Sequence, residues 1–184
     1  MKRSGFFGFV ILWSGFEVKP SASWSIGITY PEPGIDDSKE TRMDRLNLIY
    51  PGTKWCGSGN VAENSQDLGH FPVTDACCRD HDHCNDVIEA LETKYNLTNP
   101  TFYTRVECSC DEKFYDCLHR SDDKIASQIG TFYFSLLNTQ CFREDYPIVS
   151  CKHYAYTTYP KRCVEYDLDE SQPKIHQWFD VPPF

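Results

Sequence analysis

Positive charge is in short supply in this sequence: 18 Lys and Arg stand against 27 Asp and Glu in 184 residues, a net charge of -9. Binding nucleic acid by counterion release needs clustered cations, so that class of function is excluded. General attraction to anionic lipid is excluded on the same ground, and any membrane contact must use apolar and aromatic side chains or a local basic patch. Internal repeats and low-complexity tracts are absent, which supports one compact unit. No Cys-x2-Cys pair occurs, so the usual mark of a structural zinc site is missing. Long apolar runs are missing as well, apart from residues 6–13, and the mature protein is expected to be soluble.

What the chain has in excess is cysteine. Ten cysteines in so short a chain, an even number, point to an oxidising compartment and a disulfide framework. The N-terminus agrees: Lys2 and Arg3 precede the apolar residues 6–13, and Ser21-Ala22-Ser23 follow. This is the pattern of a secretory signal peptide over 1–23, too short for the roughly 20 apolar residues that span a bilayer. Residues 24–47 hold Pro31, Pro33, Gly34 and a mixed-charge run; they read as a propeptide or a flexible N-terminal arm. A single domain is then expected over 48–184. Residues 49–184 carry 12 Lys and Arg against 21 Asp and Glu, so they keep the whole net charge of -9.

Within that domain, residues 50–60 are too rich in Gly and Pro for a helix and read as a loop. Thr74 and Asp75 are N-cap candidates for a helix whose stripe is Cys77, His81, Cys84 and Ile88. A second helical pattern covers 105–121, with Cys110, Phe114 and Cys117 on one stripe beside Asp111, and a loop-like linker at 95–104 separates the two. Residues 125–137 have helical spacing, with a strand left open by their β-branched and aromatic content. Farther on, Val164, Tyr166 and Leu168 alternate, consistent with a short antiparallel ribbon closed by Cys151 and Cys163.

Spacing alone does not fix the pairing of ten cysteines. If the two helices run antiparallel, however, Cys84 meets Cys110 in the register in which Cys77 meets Cys117, because each pair of cysteines on a helix is seven residues apart. His81 then lies between the two bonds and near the level of Asp111, whose carboxylate can fix an imidazole's tautomer and stabilise its charged form. A partly exposed histidine with no role is the plain alternative. Zinc bound by His81, His83, Cys84, Cys108 and Cys110 is another, disfavoured because secreted thiols oxidise.

Three ordered motifs carry a resemblance. They are Trp55-Cys56-Gly57-Ser58-Gly59-Asn60, Asp75-Ala76-Cys77-Cys78-Arg79-Asp80-His81-Asp82-His83-Cys84, and Cys108-Ser109-Cys110-Asp111-Glu112-Lys113-Phe114-Tyr115-Asp116-Cys117. Together they resemble the secreted phospholipase A2 enzymes of the bee-venom type, group III, over essentially everything from residue 49 to residue 180. The resemblance implies a mainly α, small disulfide-rich fold: two antiparallel helices bolted by disulfides, an N-terminal calcium-binding loop and a short antiparallel β ribbon near the C-terminus.

It also implies one Ca2+, held by the carbonyls of Trp55, Gly57 and Gly59 and by the Asp82 carboxylate, with glycines freeing the backbone to turn oxygens inward. His81 would draw a proton from water, Asp111 would orient His81, and Tyr133 would support Asp111. The water would attack the sn-2 ester of a glycerophospholipid, releasing a fatty acid and a lysophospholipid, with calcium and the Gly57 N–H stabilising the oxyanion. The bridges implied are Cys56 with Cys78, Cys77 with Cys117, Cys84 with Cys110, Cys108 with Cys141, and Cys151 with Cys163.

The expected setting is extracellular, with a phospholipid membrane or micelle surface as substrate, no nucleic-acid partner and a monomeric state. Asn96-Leu97-Thr98 is a glycosylation sequon in a loop. Venom members of the family are often basic, whereas this chain is acidic. The alternative function is a non-enzymatic secreted ligand of a receptor or channel; such a protein would tolerate loss of His81 or Asp82, and both are present.

Overall fold

The computed structural model describes residues 48–155 and 161–184; the expected signal peptide, 1–23, and arm, 24–47, lie outside the described residues. Helix α1 spans Pro72–Asp82. Its proline sits in the first turn, where the missing N–H goes unneeded and a fixed φ suits the helix. Thr74 and Asp75 are therefore not N-caps. Phe71 holds that place without a side-chain bond, and both polar residues are buried inside the first turn. The helix also stops earlier than its apolar stripe suggests. His83 caps it, with its N–H on the Arg79 carbonyl at 3.2 Å. Asn85 and Asp86, weak helix formers, lead into the β-branched pair of β1 (Val87–Ile88), which pairs with β4 (Arg105–Val106).

Helix α2 spans Cys108–Arg120 and is capped by Glu107, whose carboxylate accepts the Ser109 N–H at 2.9 Å. Between β1 and β4 the chain forms a hairpin of β2 (Thr93–Lys94) and β3 (Leu97–Thr98), whose turn and second strand open the expected linker, 95–104. Its turn residues Tyr95 and Asn96 both have positive φ, 54° and 61°, as a two-residue hairpin turn requires. Asn96 is exposed there. The third apolar run is helical: α3 (Lys124–Gly130) passes directly into a π-helix, Thr131–Leu136.

The C-terminal third is antiparallel strand. β6 (Ile148–Ala155) pairs with β7 (Arg162–Leu168) in the expected ribbon, and β5 (Gln140–Asp145) pairs with β8 (Ile175–Asp180), setting Cys141 opposite Phe179. With strand residues nearly as numerous as helical ones, the fold is mixed rather than mainly α. The expectation overweighted the two cysteine-bearing helices because the β5–β8 partners lie far apart in sequence and leave no local signal. Phe134, Phe142, Phe179, Ile88 and Leu118 are fully buried where helices and strands meet.

All ten cysteines are bridged, Cys56–Cys78, Cys77–Cys117, Cys84–Cys110, Cys108–Cys141 and Cys151–Cys163. The zinc alternative falls with this, since its three thiols are consumed. Among the described residues no helix is long and apolar enough to cross a membrane.

Candidate active site

Two stripes of α1 point in two directions. Thr74, Cys77 and His81, at steps of three and four, face α2: the Thr74 hydroxyl lies 3.0 Å from that of Ser121, Cys77 is bonded to Cys117, and His81 Nε2 lies 2.9 Å from Asp111 Oδ1. Asp75, Cys78 and Asp82 form the other stripe. Asp75 accepts the main-chain N–H groups of Lys54, Trp55 and Gly69 at 2.7–3.0 Å, and Cys78 is bonded to Cys56. Asp82, seven residues after Asp75 and four after Cys78, shares the side that carries the 54–57 loop. The tilted contact of Trp55 with His83, ring centres 5.4 Å apart, brings the same loop to the last turn of the helix.

Around His81 the surroundings are apolar and ordered. Its ring stacks on Phe114 at 4.3 Å and meets the Tyr133 ring edge-on at 5.1 Å. The His81 side chain is 13% exposed and that of Asp111 2%. Tyr133 donates its hydroxyl to Asp111 Oδ1 at 2.9 Å. Burial first, and the Asp111 charge second, push the Tyr133 hydroxyl well above its ordinary pKa, so it remains a donor. Among the described residues no donor reaches the buried Asp111 Oδ2. The carboxylate is thus compensated through Oδ1 alone, and a positive imidazolium beside it gains correspondingly more. An ionised Asp111 holds the proton on His81 Nε2 and leaves Nδ1 as the acceptor, able to take a proton from water.

The loop presents a different chemistry. A single antiparallel bridge sets Ile49 opposite Gly57 and uses the flanking groups, Tyr50 N–H on the Cys56 carbonyl at 2.7 Å and Ser58 N–H on the Leu48 carbonyl at 3.1 Å. The N–H and carbonyl of Gly57 point the other way. A Cβ on Gly57 would lie 1.9 Å from the Leu48 oxygen, so only glycine permits the approach. Gly59 has φ +83°, again a glycine conformation. No hydrogen bond among the described residues ends on the carbonyls of Trp55, Gly57 or Gly59.

Asp82 is exposed at the level of the whole residue. Even so, burial of its carboxyl pushes it up to about 7, against the opposing pull of His81 and His83. Three loop carbonyls without a hydrogen-bond donor among the described residues, and a carboxylate on the stripe of α1 that faces the same loop, are oxygen ligands of the kind a hard cation such as Ca2+ takes. No cluster of three or more His, Cys, Asp or Glu side chains suited to a metal exists among the described residues, so main-chain oxygens would supply most of the ligands.

This chain matches the family model described as Phospholipase A2 over residues 49–145. It is 53% identical to "Phospholipase A2" of Bombus pensylvanicus over 135 residues, covering 73% of this chain and 98% of that protein. "Phospholipase A2" of Xylocopa appendiculata circumvolans is 50% identical, with 73% and 72% covered, and "Phospholipase A2" of Apis mellifera 47%, with 73% and 78%. The chain belongs to the phospholipase A2 family.

The family model ends at residue 145, before β6, β7 and β8, whereas the bee relatives align over 134 or 135 residues. The expected residues His81, Asp111 and Tyr133 are brought into direct contact, and Trp55, Gly57, Gly59 and Asp82 sit on the loop and stripe described above. Asp75, an N-cap candidate by sequence, instead holds the 54–55 loop and Gly69 through three main-chain N–H groups. Its signal was present, since Asp75, Cys78 and Asp82 share one helical stripe. The stacking of Phe114 on His81 could have been read from the stripe of α2. Arg162, buried with its guanidinium on the Phe134 and Ser135 carbonyls, had no sequence signal.

Proposed function

We propose that this phospholipase A2 hydrolyses the sn-2 ester of glycerophospholipids in a calcium-dependent reaction, releasing a fatty acid and a lysophospholipid. The observation that carries the reading is the 2.9 Å contact between His81 Nε2 and Asp111 Oδ1, which leaves Nδ1 as the acceptor. His81 accepts a proton from water at Nδ1, and the water oxygen attacks the ester carbonyl. Asp111 holds the ring and stabilises the imidazolium, and Tyr133 restrains Asp111. The Gly57 N–H donates to the oxyanion.

Trp55, Gly57 and Gly59, through their carbonyls, and Asp82, through its carboxylate, would hold one Ca2+. When bound, that ion supplies Lewis-acid polarisation of the ester oxygen. On collapse His81 returns its proton to the leaving alkoxide, and no acyl-enzyme forms. Phe114 and Tyr133 limit water around the ring.

The five disulfides and the N-terminal pattern support secretion, with 1–23 removed, 24–47 a propeptide or arm, and 48–184 the catalytic domain. The exposed hairpin position of Asn96 supports its glycosylation. We take the enzyme to act as a monomer on a phospholipid surface.

Hydrolysis of phospholipid in mixed micelles is measured with and without a calcium chelator. Activity is expected to vanish under chelation, and His81→Gln to lower kcat by about 10²- to 10⁴-fold. Hydrolysis that survives chelation unchanged, or survives in His81→Gln, would overturn the mechanism.

A further inference from the structure

Arg162, the first residue of β7, is 2% exposed. A buried guanidinium is costly unless its donors are satisfied, and here they converge on one place. Nη1 donates to the Phe134 carbonyl and, at 3.4 Å, to that of Val181; Nη2 donates to the Ser135 carbonyl at 3.0 Å; Nε donates to Asn138 Oδ1 at 2.9 Å. Phe134 and Ser135 belong to the π-helix, and Asn138 lies just beyond it in the left-handed region, φ 54°.

The last carbonyls of any helix lack partners within it, and a π turn is the least common way to wind the chain. The guanidinium satisfies two of those carbonyls. Rewinding residues 131–136 as α-helix would shift the register by one residue, roughly 100° of rotation. Tyr133, next in sequence to Phe134, would then leave Asp111.

We propose that Arg162 is a positioning residue of the active site: by holding the Phe134 and Ser135 carbonyls it fixes the π-helix register that keeps the Tyr133 hydroxyl on Asp111. The proposal rests on His81 and Asp111 being the catalytic pair. It gives the C-terminal ribbon, which lies beyond residues 49–145 matched by the family model, a part in catalysis: the Cys151–Cys163 bond ties β7 to β6 beside Arg162.

The test compares Arg162→Lys, Tyr133→Phe and the double variant on micellar phospholipid at saturating calcium. Lysine keeps the charge but lacks the planar fork that reaches two carbonyls and an amide at once. Each single variant is expected to lower kcat about tenfold with KM within about twofold, and the double variant to fall no further than the worse single one. Wild-type kcat in Arg162→Lys, or losses that multiply in the double variant, would overturn the proposal.

Should Arg162→Lys fail to fold, Asn138→Gly removes one partner of the same guanidinium at an exposed position whose φ glycine accepts. A loss of about two- to threefold in kcat is expected in the wild-type background and none in Tyr133→Phe; equal loss in both backgrounds overturns the proposal. Absence of hydrolysis by the wild type would instead overturn the catalytic reading, and the positioning role with it.

Discussion

A carboxyl desolvated by the protein around it keeps its proton to higher pH, and burial pushes Asp82 up to about 7 from 3.8 against the pull of His81 and His83. Between roughly pH 4 and pH 7 the folded, cation-free protein then binds a proton at Asp82 that the unfolded chain has lost, so its stability falls as pH rises through that window. A cation on the carboxylate removes the effect. The melting temperature in chelator is therefore expected to decline from about pH 4.5 to about pH 7.5 more steeply than in Asp82→Asn, and saturating calcium should flatten the decline. The same linkage makes calcium compete with a proton: the apparent Kd, read by titration calorimetry, should weaken about tenfold for each pH unit below 7. A Kd independent of pH from 5.5 to 7.5 would remove Asp82 from the site.

At the scale of elements, α1 works as a two-sided spacer, with the His81 stripe bolted to α2 and the Asp82 stripe bolted to the loop. Asp75 is the non-covalent half of the second attachment, fully buried with three main-chain N–H groups on its carboxylate. Asp75→Ala strands those donors and is expected to cost about 3 kcal/mol or more, read as a fall in the denaturant midpoint. Asp75→Asn, which turns an NH2 group toward an N–H, should lose most of the same amount. Both should weaken calcium binding although neither touches the ion; a variant with unchanged calcium affinity would show that Cys56–Cys78 alone sets the loop. This element also marks how far sequence reasoning reached. The Cys77–Cys117 and Cys84–Cys110 bonds followed from a shared seven-residue spacing, because helical periodicity is local. The β5–β8 pairing, the π-helix and the burial of Arg162 depend on contacts between distant segments, which no local pattern encodes. Asp75 was legible as a residue but misread in role, since Pro72, five residues before Cys77, had already started the helix.

For the whole molecule, the net negative charge bears on how the enzyme meets its substrate. Residues 49–184 carry the full net charge of -9, and several of their cations are already engaged: Lys54 with Asp67, Lys94 with Asp86, Arg143 with Asp145 and Arg79 with Asp80. Arg162 and Arg105 are buried. A body so charged is repelled by an anionic bilayer over about one Debye length, roughly 30 Å at 0.01 M salt and about 8 Å at 0.15 M. Apolar side chains such as Phe102, 86% exposed, and Leu136, 71% exposed, remain available for contact, and their burial is insensitive to salt. At fixed free calcium, initial rates on anionic vesicles are expected to rise as salt increases from about 0.01 to about 0.15 M, while rates on zwitterionic vesicles stay nearly flat. Rates on anionic vesicles that fall with added salt would mean that a local cluster of cations outweighs the net charge and docks the enzyme, because screening weakens attraction and repulsion alike.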